Sequence, residues 1–282
     1  MRKLLHANAN RVLISRVFWI EMTVWVVYCL GYQLDSYCRS MEYSFPLQEI
    51  FQQTMFSFTT LMGVFSAIFV SLYIGTEYND GTIRNKLIVG QTRNSIYLSN
   101  YIACTAAGIV HTTVAAAVFL SIGVLVFGKP ELGAGQFLQI LAIILFLCMS
   151  YASVYTFISM LCGSKAHASI INILAAFGML FAGALLSSRL LAPKMIADYG
   201  YVDGALAMKG QTPNPNYLSG TKRTVYQLLM DFIPGGQNIQ LSQNSLMSML
   251  LEHPVQLCCY SAAITVIFTL AGMLIFNRKD IK

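Results

Sequence analysis

The amino-acid sequence predicts an all-α, polytopic membrane protein of six transmembrane helices, and three observations carry the prediction. Of its 282 residues 56% are hydrophobic and only 11% are charged, where a soluble domain carries about 25% charged residues to dress its surface. The apolar residues fall in blocks of about twenty, the length a helix needs to cross a hydrocarbon layer of ~30 Å. The basic residues gather in alternate connecting segments. A β-barrel would instead show alternating segments of ~10 residues, and the chain has none.

The six spans are read as Val17–Leu34, Thr54–Ile74, Ile96–Phe127, Phe137–Leu161, Ser169–Leu191 and Val255–Phe276. Each is read as helix, because only a helix meets its own backbone hydrogen bonds where water is absent. The third is long enough to tilt or to project past the bilayer. Glu21 interrupts the first apolar run, and no small-residue cleavage site follows Leu34, so the N-terminus is not read as a cleavable signal. Residues 1–282 are taken as one transmembrane domain.

Charge orients the bundle. With both termini inside, the inner segments hold Arg2, Lys3, Arg11, Arg16, Arg84, Lys86, Arg93, Lys165, Arg278, Lys279 and Lys282 against Glu77, Asp80 and Asp280, a net of +8. The outer segments hold 7 basic and 8 acidic residues, a net of −1, and Glu21 supplies the last unit of the overall +6. This is the positive-inside bias. The net charge therefore reports topology in a bacterial inner membrane, with cytoplasmic termini and no nucleic-acid partner. The seven cysteines show neither a CxxC nor a Cys/His spacing for a metal; Cys38, Cys258 and Cys259 lie near outer span ends, where a disulfide could form.

The connecting segments have features of their own. In residues 2–16, Leu5, Ala9, Val12 and Leu13 share one helical face while Arg2, Lys3, Arg11 and Arg16 can meet anionic headgroups, the pattern of an interfacial helix. Residues 188–254 form the one sizeable segment outside the bilayer. It starts irregularly and runs through the turn-rich Gln211–Gly220. It then shows Val225, Leu228, Leu229 and Phe232 at i, i+3, i+4 and i+7, an amphipathic helix ended by Pro234-Gly235-Gly236. A second short helix is expected around Leu246, Met249 and Leu250. The whole is a small extracytoplasmic helical cap that packs its apolar stripe on the bundle.

The loop after the second span, residues 77–93, reads Glu77-Tyr-Asn-Asp80-Gly81-Thr82-Ile83-Arg84-Asn85-Lys86-Leu87-Ile88 and on to Arg93. Gly81 breaks the preceding helix as a C-terminal glycine does, and Asp80 or Thr82 can cap a new one. Ile83, Leu87 and Ile88 would face one way, with Arg84, Asn85 and Lys86 on the other. A short rigid helix lying across the mouth of the bundle offers a handle that a soluble partner can push.

These residues resemble those of the ABC-2 type permeases, the membrane subunits of ATP-binding-cassette exporters. Glu77, Gly81, Thr82 and Leu87 meet the pattern E-x-x-x-G-T-x-x-x-x-L, Met230–Gln237 resembles the family's PxGQ stretch, and Phe276–Asp280 its C-terminal ending. The short turn Gly163–His167 and the long outer segment before the last span fit as well. Gly90 stands where a proline is common, and Ser99-Asn100 where a Gly-Lys pair often begins the third span. The resemblance implies that residues 77–93 form a cytoplasmic coupling helix. Glu77, Gly81, Thr82, Ile83, Arg84, Leu87 and Arg93, with Ser164 and Lys165 of the second turn, would then receive the ATPase. It implies two ATP-binding subunits, which hold ATP and Mg, and a second permease chain, identical or homologous. The chain shows no G-x-x-x-x-G-K-[ST] of its own; its Gly128-Lys129 pair is followed by Pro130.

An intramembrane acid is a functional candidate by default. Glu21 in the first span and His111 midway along the third are therefore candidate pathway residues, set against snorkelling for the first and a hydrogen-bonded core histidine for the second. Few charges lie within the spans, which points to export of an amphipathic or hydrophobic substrate such as a peptide or drug. The rivals are an ion-coupled secondary transporter or channel, which would need a chain of intramembrane charges, and a membrane-embedded hydrolase, which would need clustered catalytic groups.

Overall fold

In the computed structural model, which describes residues 1–202, 205–243 and 252–280, six helices are long and apolar enough to cross a membrane. The helices are α1 (Arg2–Ile14), α2 (Arg16–Tyr43), α3 (Leu47–Thr54), α4 (Met62–Asn79), α5 (Thr82–Ile88), α6 (Arg93–Phe127), α7 (Ala134–Cys162) and α8 (Lys165–Leu190). After a hairpin of β1 (Met195–Val202) and β2 (Ala205–Pro213) come α9 (Gly220–Phe232), α10 (Pro234–Ser242) and α11 (Pro254–Arg278). The core lies around α4 and α7. In the apolar stretch containing α4 67% of residues are buried, in α7 56%, and in each of the other four spans 28% or fewer. Apolar side chains such as Ile170, Leu174, Phe177 and Phe181 of α8 point outward, as lipid-facing positions do.

The second span departs from the continuous helix Thr54–Ile74 that hydropathy suggests. It is broken: α3 stops at Thr54, a single 3-10 turn covers Ser57–Thr59, and α4 starts at Met62. Hydroxyls that bond the local backbone favour such a break, and Thr54 and Thr59 donate to the carbonyls of Ile50 and Phe56. Irregular backbone at this depth survives only if protein groups satisfy it. Here they do. The Trp25 indole donates to the Phe58 carbonyl at 3.1 Å, the Tyr28 hydroxyl to Ser57 at 3.3 Å, and the Asn238 amide to Thr60 at 3.0 Å.

Asn238 reaches that break because α10 is sunk into the bundle, with every residue from Pro234 to Leu241 buried. A methyl carbon placed on Gly235 would lie 2.0 Å from the carbonyl oxygen of Met179, and one on Gly183 would lie 2.6 Å from that of Gly235. Two backbones thus touch where no side chain fits. Met179 sits eleven residues before the end of α8, about 16 Å at 1.5 Å per residue. The α9–α10 corner therefore enters the bundle to about half the depth of a bilayer.

Two expectations for the outer segment change. Its irregular beginning is an antiparallel hairpin pairing Met195 with Pro213 and Val202 with Ala205. The overlooked sequence signal is Asp203-Gly204, a dipeptide favoured between hairpin strands, although those two residues lie outside the described set. The stripe Val225, Leu228, Leu229 and Phe232 is not buried against the bundle but 42–49% exposed, although the Phe232 ring meets Tyr260 of α11 edge-on at 5.8 Å. Periodicity finds an apolar face without saying whether protein or lipid covers it, and α9 docks through Met230 and Asp231 at its end instead. The expected helix around Leu246 lies outside the described residues.

The backbone contact of α10 with α8 yields a prediction. Gly235→Ala should lower the melting temperature of the purified protein, by an overpacking cost of ~1–3 kcal/mol, because neither partner can rotate away. Gly178→Ala on the same helix α8 meets nothing within 4 Å and should be neutral. Equal melting temperatures for the two variants would contradict the close approach.

Candidate functional site

Both termini of the described chain, α5 and the α7–α8 turn gather at one end of the bundle, the terminal end. There α4 runs out at Asn79, and Gly81 turns the chain with a φ of +65° into α5. A positive φ costs a residue with a Cβ about 1–2 kcal/mol, so the glycine fits. The helix start has no side-chain cap, and the cap expected from Asp80 or Thr82 is absent because Gly81 itself holds that position.

Glu77, in the last turn of α4, is 1% exposed. A lone buried carboxylate is costly, and four helices converge to offset that cost. Arg11 of α1 and Lys86 of α5 both form ion pairs with its Oε1. The Asn100 side-chain amide of α6 donates to Oε2. Around this centre Lys86 Nζ donates to Asn8 Oδ1 at 3.0 Å. Asn8 Nδ2 in turn donates to Asn100 Oδ1 at 2.8 Å and to Ser99 Oγ at 3.1 Å. Arg11 also donates to the Tyr73 carbonyl at 2.7 Å and lies 3.8 Å over the Tyr73 ring, whose hydroxyl donates to the Asn8 carbonyl. Burial pulls the Lys86 ammonium below its ordinary pKa, and the Glu77 charge pulls it back. Asn8, Ser99 and Asn100 are each 1% exposed or less.

The structure brings some sequence candidates to this centre and turns others. Glu77 is the hub, and Ile83, buried, roots α5 beneath it. Lys86 points inward rather than to solvent, while Ile88, expected inward, is 73% exposed beside Val89 at 78%. Glu77 is the reason: a strong buried anion draws the lysine across the helix and rolls α5 with it. Arg84 is exposed, and Thr82 and Leu87 are half-buried. Arg11, expected among lipid headgroups, faces the bundle, and of the expected apolar face of α1 Ala9 and Leu13 are exposed while Leu4, Asn8 and Val12 form the inward line.

The remaining candidates flank the hub. Arg93 donates to the carbonyls of Phe276, at 2.9 Å, and Lys279, satisfying the end of α11, where a cation also meets the negative pole of the helix. Lys279 does the same for α7, donating to Met160 and Leu161 carbonyls at 2.9 Å each; burial lowers its pKa too. Ser164 precedes α8, and Lys165 packs its backbone against Gly75 of α4. Both turns at this end therefore bear on α4. Far from them, Glu21 and His111 meet inside the bundle, Oε1 to Nδ1 at 3.6 Å. The cysteines are unpaired.

Sequence reasoning missed Asn8 and Asn100. Each was visible as an amide in an otherwise apolar helical line, a placement that asks for a partner, but nothing in one sequence names the partner.

Six helices long and apolar enough to span a membrane, with a short helix at one end anchored through a buried carboxylate, define a polytopic membrane protein. The model for the ABC-2 family transporter protein matches residues 29–281, and the chain belongs to that family. Proteins of this family are membrane subunits, not themselves catalytic, and generally work with an ATP-binding subunit. No curated protein matches the chain significantly. Asn8 and Arg11 precede the matched region.

Removing the charge at the hub tests it. Glu77→Gln leaves Arg11 and Lys86 facing each other, and breaking a buried pair costs ~3–5 kcal/mol. Its melting temperature should fall well below that of Asp80→Asn, a change at an exposed neighbour. A Glu77→Gln protein as stable as the wild type would show that the buried network does not hold.

Proposed function

We propose that the chain is the pathway-forming subunit of an ATP-driven exporter, in which a separate ATPase grips α5 at the terminal end and moves α1, α4 and α6 through Glu77. The observation that carries this reading is the two-sided character of α5. Its root is fixed by Ile83, Lys86 and Gly81, while Arg84, Ile88 and Val89 project from the protein. Exposed aliphatic side chains beside an arginine suit the buried centre of a protein interface. The charge asymmetry of the sequence supports a cytoplasmic terminal end in a bacterial plasma membrane.

The complex would hold two ATPase chains, which bind ATP and Mg, and a second permease chain. Coupling contacts are assigned to Thr82, Arg84 and Leu87 with Ser164 and Lys165, and positioning roles to Glu77, Gly81, Ile83 and Arg93. Spans with few charges support an amphipathic or hydrophobic cargo, a peptide or drug. Membership of the ABC-2 family favours ATP-driven transport over the ion-coupled alternative.

Reconstitution of the chain with its ATPase tests the assignment. Ile88→Glu changes an exposed residue, so the protein should insert and melt normally yet bind the ATPase at least tenfold more weakly, about 1.4 kcal/mol, and lose transport-coupled hydrolysis. Gly81→Val should uncouple as well, because a β-branched residue opposes the positive φ. Wild-type coupling in both variants would contradict the assignment.

A further inference from the structure

Away from the hub, a carboxylate and an imidazole meet in the interior of the bundle. Glu21 of α2 and His111 of α6 are 5% and 1% exposed. Glu21 Oε1 faces His111 Nδ1 at 3.6 Å, and Glu21 Oε2 has no hydrogen-bond partner. The other ring nitrogen, Nε2, lies 3.1 Å from the Phe18 carbonyl oxygen. The Phe18 ring stacks on the imidazole at 4.5 Å and Phe69 meets it edge-on at 5.6 Å, fixing its plane.

Hydrogen-bond chemistry then counts the protons. A carbonyl oxygen only accepts, so Nε2 carries a hydrogen, and in a neutral ring Nδ1 is left as an acceptor. Opposite it stands a carboxylate oxygen, also an acceptor. Two lone pairs facing each other repel, and no further carboxylate or cationic side chain lines the small cavity beside them. That cavity measures about 10 Å³, roughly the space one water needs. Its other titratable walls are Cys104 on α6 and Cys148 and Tyr151 on α7, while α4 contributes Met62, Ser66 and Phe69, none of them titratable.

We propose that Glu21 and His111 form an intramembrane binding site for a single proton, held between Oε1 and Nδ1 as they close from 3.6 Å to hydrogen-bond distance, that clasps α2 to α6. The proton sits either as a carboxylic O–H donated to Nδ1 or as an imidazolium N–H donated to the carboxylate. Both descriptions contain the same single proton and belong to the pair rather than to one residue. The site is independent of the coupling contacts at the terminal end, so the transporter reading can fail without it and the reverse.

The test counts protons on the full-length protein in lipid nanodiscs. It is labelled with ¹⁵N-histidine, with His6, His167 and His253 replaced by glutamine so that His111 alone reports. Expected is a ring with Nε2 protonated and Nδ1 protonated or hydrogen-bonded. Infrared spectra of wild type against Glu21→Gln complete the count. A hydrogen-bonded Nδ1 must coincide with a carboxylic acid band lost in Glu21→Gln, and a protonated Nδ1 must become an acceptor in Glu21→Gln. Glu21→Gln also folds as the wild type does, because its amide donates to Nδ1 without a titratable proton. A bare Nδ1 beside an ionised carboxylate, or two protons on the pair, would each overturn the proposal.

Discussion

A carboxylate that cannot be left alone in a low-dielectric interior organises one end of this protein. Glu77 is fully enclosed, and its charge is met by groups that arrive from three other helices: Arg11 from α1, Lys86 from α5 and Asn100 from α6. A buried ion pair adds little net stability over apolar packing, but removing one member is expensive. Its use is specification. The charge dictates that α1 lies against α6, that α5 rolls Lys86 inward, and that Ile88 and Val89 are consequently left outside. The ion pairs tie α1 and the seven-residue α5 to one carboxylate at the end of α4.

The other end solves a different problem with the same rule, that backbone polar groups must be satisfied wherever water is excluded. At the break between α3 and α4, Trp25, Tyr28 and Asn238 each donate to one backbone carbonyl. Asn238 is available because Gly183 and Gly235 let α10 press backbone to backbone on α8. Behind it, Gln237 donates to the Asp231 carbonyl at 2.7 Å and accepts from Ser261 at 2.8 Å, and Gln227 and Gln240 donate to the Asp231 carboxyl, whose pKa burial nonetheless raises. The two ends share α4, which starts at the break and ends at the turn that carries Glu77.

The spans were legible because twenty apolar residues have one stable arrangement in a bilayer, and α5 was legible because Gly81 forces a turn that few residues allow. Other features depend on partners far apart in sequence. The direction of Lys86 is set by Glu77 and Asn8, which lies 78 residues away, and no local pattern shows it. The broken second span looks continuous to hydropathy because Met55, Phe56 and Phe58 are as apolar as a helix interior, although Ser57, Thr59 and Thr60 mark the break in retrospect. The stripe on α9 misled because in a membrane an apolar face has two acceptable neighbours. Glu21 and His111 were each visible as odd residues in a span; their meeting required the crossing of α2 and α6.

The central claim is that Glu77 joins α1 and α5 into one block, and a distance measurement tests it directly. Spin labels at Asn10 of α1 and Asn85 of α5, both exposed, on a protein without native cysteines, should give one narrow distance distribution in the wild type. Glu77→Ala should broaden it, as α5 loses its anchor while the spans remain folded. A distribution equally narrow in both proteins would contradict the account, because α1 and α5 would then be held together by something other than the buried carboxylate.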